Sequence, residues 1–105
     1  MKFSTRIPTH LNDGSPVARE VTQSILDLVM ERFEGFTTEA ISTGGWRNES
    51  GEDFVEPAFT LSVLCENSRY GDARQTVIEI GKMLDQEAMY FEVEYFDGVE
   101  IISTR

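Results

Sequence analysis

The sequence predicts an α+β fold, a two-layer sandwich with an antiparallel sheet and two helices on one of its faces. Three observations carry this expectation. Two stretches place apolar residues three and four apart, several shorter ones alternate apolar with polar, and an Asp97-Gly98 pair sits between two strand-like segments near the C-terminus. At 105 residues, with 40% hydrophobic and 10% aromatic composition, the chain has material for one core, so residues 1–105 are read as a single domain.

Residues 2–7 alternate, with Phe3, Thr5 and Ile7 on one face and Lys2, Ser4 and Arg6 on the other, as in a half-buried strand. Asn12-Asp13-Gly14 marks a turn, and Ser15 followed by Pro16 is a helix start, because serine caps a first turn and proline lacks an N–H that would be unpaired there anyway. The helix is expected over residues 16–33, burying Val17, Val21, Ile25, Leu28 and Val29, with Gly35 as the left-handed residue that ends it. Residues 36–47 and 54–66 read as strands joined by the turn-forming residues 48–51. On the second strand Phe59, Leu61, Val63 and Cys65 share one face, which makes Cys65 a core residue. Asp72 with Gln75 three residues on suggests a capping box for a second helix, residues 73–84, whose buried face carries Ala73, Val77, Ile80 and Leu84. Gly81 on that face suggests close packing against the sheet. Residues 89–95 and 99–104 complete the chain as a hairpin around Asp97-Gly98.

The order strand, helix, strand, strand, helix, strand is the ferredoxin-like βαββαβ arrangement, here with an added C-terminal hairpin strand. Two helices cover one sheet face and leave the other free. In the last hairpin Phe91, Val93 and Tyr95 fall on one face with Ile102, while Val99 and Ile101 fall on the other with Glu92 and Glu94. Neither face is purely polar, which predicts self-association through the sheet, most simply as a homodimer.

Nineteen acidic residues against nine basic ones give a formal charge of −10, and residues 48–68 and 83–104 contain acids but no base. Direct nucleic-acid binding is disfavoured, because phosphates would meet a repulsive field. No apolar run approaches the ~20 residues that cross a bilayer, so no membrane partner is expected. The opening MKFSTRIPTH lacks the apolar stretch of a secretory signal and the single cysteine cannot close an intrachain disulfide, so the expected location is the cytoplasm.

The inventory for catalysis is poor. His10 lies in an expected loop without an orienting acid, and Cys65 sits in an apolar strand without a histidine partner. Glu49, Glu52, Asp53 and Glu56 do not follow the calcium-loop spacing, no His or Cys spacing fits zinc, and no glycine-rich phosphate loop opens a helix. No metal or cofactor is therefore expected, and nothing marks the chain as an enzyme. Trp46 and Arg47, beside Gly44-Gly45, could stack on a planar ligand or hold an anion. The competing structural reading places Trp46 in the core and pairs Arg47 with Glu56, or a neighbouring acid, across the hairpin.

Arg32-Phe33, Gly35, Thr37, Ala40, Gly45-Trp46-Arg47, Ser50-Gly51, Glu56-Pro57 and Gln86-Glu87-Ala88-Met89 together resemble an uncharacterised bacterial domain-of-unknown-function family of small α+β proteins. The resemblance spans roughly residues 29–93. It implies that Trp46, Arg47, Glu56 and Gln86 are the ligand-binding candidates, without an assigned chemistry, and many members of that family look secreted or lipid-anchored. Three function classes follow. The first is a non-catalytic interaction or regulatory domain that self-associates through its sheet and engages a protein partner. The second is a small-ligand-binding or enzymatic protein of the dimeric α/β-barrel kind. The third is an acidic decoy of a nucleic-acid-binding protein.

Overall fold

Strands and helices follow one another in the expected order in a computed structural model that describes residues 1–97 and 100–104. The elements are β1 (Lys2–Pro8), α1 (Arg19–Phe33), β2 (Thr37–Arg47), β3 (Asp53–Leu64), a 3-10 turn (Asn67–Arg69), α2 (Tyr70–Met83) and β4 (Glu92–Glu94). The sheet runs β2-β3-β1-β4, and every neighbouring pair is antiparallel.

The register of β1 against β3 sets the core. Phe3 faces Val63, Thr5 faces Leu61 and Ile7 faces Phe59, so these six side chains project to one side of the sheet. Both helices bury their stripes there. Ile25, Val29 and Phe33 of α1 and Ala73, Val77 and Ile80 of α2 join Phe3, Ile7, Leu61 and Val63 in one cluster, with Leu84 just beyond α2. Phe3 meets Phe33 edge to face at 5.2 Å between ring centroids. Thr5 is tolerated in this apolar layer because its hydroxyl donates to the Tyr90 carbonyl at 2.6 Å.

The opposite face is polar over most of its area. Lys2, Ser4 and Arg6 of β1 lie there beside Thr60 and Ser62 of β3. Ser4 and Ser62 hydroxyls bond each other at 2.9 Å, and Lys2 pairs with Glu94 at 3.8 Å. Glu92 and Glu94 point to this side while Val93 packs inward with Phe91. Of the expected hairpin, only residues 92–94 form a strand among the described residues. β4 has three residues paired with residues 2–4 of β1, a short template for a further strand, and residues 100–104 carry no strand. Ile101 is 90% and Ile102 70% exposed. Gly98 and Val99, central to that expected hairpin, lie outside the described residues.

Local chemistry moves several boundaries. Asp13 accepts from both the N–H and the hydroxyl of Ser15, which occupies the hydroxyl that would have capped a helix at residue 16. Residues 9–17 instead fold back on themselves, with Leu11 N–H bonded to the Ser15 carbonyl, Val17 N–H to the Thr9 carbonyl and an isolated bridge between His10 and Pro16. Helix α1 therefore starts at Arg19. At its other end Glu34, not Gly35, takes the left-handed conformation (φ 63°) and its N–H closes onto the Met30 carbonyl. Asp72 does not cap α2. It lies within the first turn, where it pairs with Arg69 at 3.2 Å and complements the helix dipole. Gly81 is closely packed, against Met89 in the segment after α2 and not against the sheet: a Cβ there would lie 2.7 Å from Met89 Cγ. Cys65 sits just past β3, half-buried at the margin of the core.

Candidate functional site

The β2–β3 hairpin is longer than the body of the sheet needs. Its register breaks between Glu39 and Ser42, then continues from Ser42–Ala58 to Arg47–Asp53. Gly51 (φ 83°) turns the chain, and Asn48 ties the tip together, its Oδ1 accepting from Glu52 N–H at 2.8 Å. The Asn48 amide also donates to the Glu87 carboxylate at 3.2 Å, which fastens the tip to the segment following α2.

That segment has a place to lie because β4 is short. β4 pairs only with residues 2–4 of β1, and beyond them the chain is held by the Thr5 to Tyr90 bond and by Met89 against Gly81. Between this segment and the hairpin lies a cavity of about 510 Å³ lined chiefly by Arg6, Trp46, Glu56, Gln86, Met89 and Tyr90. Its volume is in the range of small-molecule sites, and it combines aromatic and aliphatic walls with a few polar groups.

Each wall has a local cause. Trp46 and Phe54 are cross-strand partners and stack at 4.7 Å with a 15° interplanar angle, leaving the indole 37% exposed. Arg6 reaches across the sheet to β2, where Nη1 donates to Ser42 Oγ at 2.9 Å and Nη2 to the Ser42 carbonyl at 3.0 Å. This path passes closely over Gly44, where a Cβ would come within 3.1 Å of the guanidinium and oblige it to shift slightly. Tyr90 donates its hydroxyl to Glu92 at 2.5 Å, and that bond to a carboxylate pushes its phenol pKa up. Glu56 makes no side-chain hydrogen bond or ion pair among the described residues. Burial pushes its carboxyl above the ordinary 4.5, with the Arg6 charge opposing only in part.

Of the four candidates from the sequence, the cavity brings together Trp46, Glu56 and Gln86. Arg47 is elsewhere. Strand alternation turns it to the other side of the hairpin, where Nε and Nη2 grip the Asp53 carboxylate at 2.5 and 3.1 Å, raising the arginine pKa and lowering that of Asp53. Its partner across the hairpin is thus the neighbouring acid Asp53, directly opposite, rather than Glu56, and Trp46 is on the open side of the sheet and not in the core. Arg6 and Tyr90 were not singled out. Alternation along β1 already put Arg6 on the solvent side, and only the cross-strand register reveals that this side is shared with Glu56 and Gly44.

A larger cavity, about 990 Å³, lies at the other end of the molecule between Phe33, Phe36, Leu64, Cys65 and Phe96. Size favours it, chemistry does not. The charged side chains on its rim are the acids Glu34, Glu39, Glu66 and Asp97 against Lys2. Burial raises the Cys65 thiol pKa, which disfavours the reactive thiolate. His10 is exposed, its Nδ1 bonded to Thr9 Oγ1 at 2.8 Å. No group of three or more potential metal ligands occurs among the described residues, and no helix there is long and apolar enough to cross a membrane.

Comparison with known proteins adds one point. No protein-family model matches the chain, and no curated protein does. Among solved structures, a phage SAM lyase in complex with S-methyl-5'-thioadenosine is similar, with a TM-score of 0.59 over 86% of this chain and 76% of that one. The two are 13% identical, so the likeness is one of fold.

Proposed function

We propose that this chain is a small-ligand-binding domain whose site is the cavity between the β2–β3 hairpin and the segment after α2. The observation that carries the reading is the convergence of Trp46, Tyr90, Gln86 and Glu56 on one cavity from three separate stretches of sequence. An indole and a phenol offer stacking surface, a side-chain amide offers a donor and an acceptor for the edge of a base, and a carboxylate can accept from a ribose diol. These are the contacts a purine nucleoside requires. A structural neighbour in complex with S-methyl-5'-thioadenosine supports the same ligand class by analogy of fold.

We read the strand order β2-β3-β1-β4, with both helices on one face, as the ferredoxin-like arrangement. Self-association is a second proposal. Its support is the unpaired edge of β2 and the exposed Ile41 and Val55 on the hairpin, since the open sheet face is largely polar.

Trp46 is the single tryptophan, so its emission reports on the cavity directly. Titration with S-methyl-5'-thioadenosine should produce a saturable change in that emission, abolished by Tyr90→Ala. A flat titration at millimolar ligand would defeat the reading. Parallel incubation with S-adenosylmethionine, followed for formation of S-methyl-5'-thioadenosine, distinguishes a binder from a lyase.

A further inference from the structure

We infer that the Glu56 end of this cavity is a subsite for a compact organic cation carried by the ligand; the inference rests on the binding reading above and assigns its charge. Three features converge. Glu56 is a half-buried carboxylate with no hydrogen-bond or ion-pair partner among the described residues, although it lines a cavity that also contains Arg6. Arg6 is directed towards β2: both terminal guanidinium nitrogens donate to Ser42, and the group packs closely over Gly44, where a Cβ would lie 3.1 Å from Nη2. It therefore neutralises the cavity only from the side, and the carboxylate has no direct counterion.

The remaining walls also suit a cation. Trp46 and Tyr90 present aromatic surface, whose negative faces attract an ammonium or a similar onium group, most strongly when water is displaced. The Tyr90 hydroxyl points at Glu92, so its proton is spent on the protein and is not offered to an anion. A phosphate or carboxylate ligand would meet the Glu56 charge, which the Arg6 charge offsets only in part. The formal charge of −10 on the whole chain acts in the same direction.

A matched pair of probes tests this. Adenosine and 5'-amino-5'-deoxyadenosine differ by a neutral hydroxyl against an ammonium group of similar size. Trp46 emission should report binding of the ammonium compound about fivefold to tenfold tighter than adenosine. The preference should weaken with salt and disappear in Glu56→Gln, whose unliganded emission should match the wild type. Equal affinity for both nucleosides overturns the cation subsite while leaving nucleoside binding intact. If neither nucleoside binds, the nucleoside reading fails, and the subsite is then decided by tetramethylammonium alone. At millimolar concentration that ion should change Trp46 emission in the wild type and not in Glu56→Gln, and no change overturns the inference.

Discussion

Replacing Gly81 by alanine should harm this protein at a kind of position where the change ordinarily helps. In an exposed helix interior the substitution stabilises by about 1 kcal/mol, because alanine loses less backbone freedom on folding. Gly81 is buried in α2, and the added Cβ would lie 2.7 Å from Met89 Cγ. Non-bonded carbons rest at about 3.5–4.0 Å, so Met89 must retreat by about 1 Å. Overpacking of this sort costs about 1–3 kcal/mol, and methionine's flexibility keeps the cost in the lower half of that range. After the helix gain of about 1 kcal/mol, a net loss of up to about 1 kcal/mol is expected. Urea denaturation of Gly81→Ala, Met89→Ala and the double variant measures it, since shortening Met89 removes the clash and should leave Gly81→Ala neutral or stabilising in that background. The cycle should show a coupling of about 1 kcal/mol or more. Met89 also lines the cavity, so Gly81→Ala should weaken ligand binding while Arg47→Ala leaves it unchanged. A Gly81→Ala protein more stable than the wild type in both backgrounds would refute the packing argument.

Three further outcomes follow from the same geometry. Arg47→Ala should leave the denaturation midpoint unchanged within error, because the Arg47–Asp53 pair is solvent-exposed and screened; a clear loss would show that the pair organises the hairpin. Burial raises the Glu56 pKa in the folded state, so the stability this group contributes is present below its unfolded pKa and lost as pH rises through the folded one. Glu56→Gln should therefore be more stable than the wild type at pH 7, with the gap closing towards pH 4, and a gap independent of pH would contradict the burial argument. The Cys65 thiol should react slowly with a thiol reagent at neutral pH compared with the same thiol in urea, and Cys65→Ala should cost about 1 kcal/mol through lost apolar contact. Native labelling as fast as in urea would mean the thiolate is favoured.

The sheet and helices were legible where burial enforces a period. Phe3, Thr5 and Ile7, or Phe59, Leu61 and Val63, must share a face because one side of each strand meets the helices. Boundaries were less legible where a polar side chain had two possible partners. Ser15 reads as a cap until Asp13 claims its hydroxyl, and Gly35 reads as a helix end until Glu34 takes the left-handed turn. Residues 100–104 carry no strand although Ile101 and Ile102 have strand-forming side chains, and β4 offers only three residues to pair with. For the site, Trp46, Glu56 and Gln86 were singled out by residue type and resemblance, and the cavity unites them. Arg6 and Tyr90 could not be added from the sequence, since their proximity depends on the β1–β3–β2 register and on where the segment after α2 crosses the sheet. Arg47 follows the competing structural reading, an ion pair across the hairpin, with Asp53 as the acid, because adjacent residues in a strand take opposite faces.

The most direct test of the account is the amide and indole spectrum of the uniformly labelled protein during titration with S-methyl-5'-thioadenosine. One indole N–H signal is expected, from Trp46, and its assignment is therefore immediate. The account predicts a saturable shift of that signal together with the Gln86 side-chain amide and the backbone amides of Ala88 and Tyr90, while Phe33, Phe36 and Cys65 around the larger cavity stay fixed. Shifts confined to that larger cavity, or no shift at Trp46 with millimolar ligand, would contradict it.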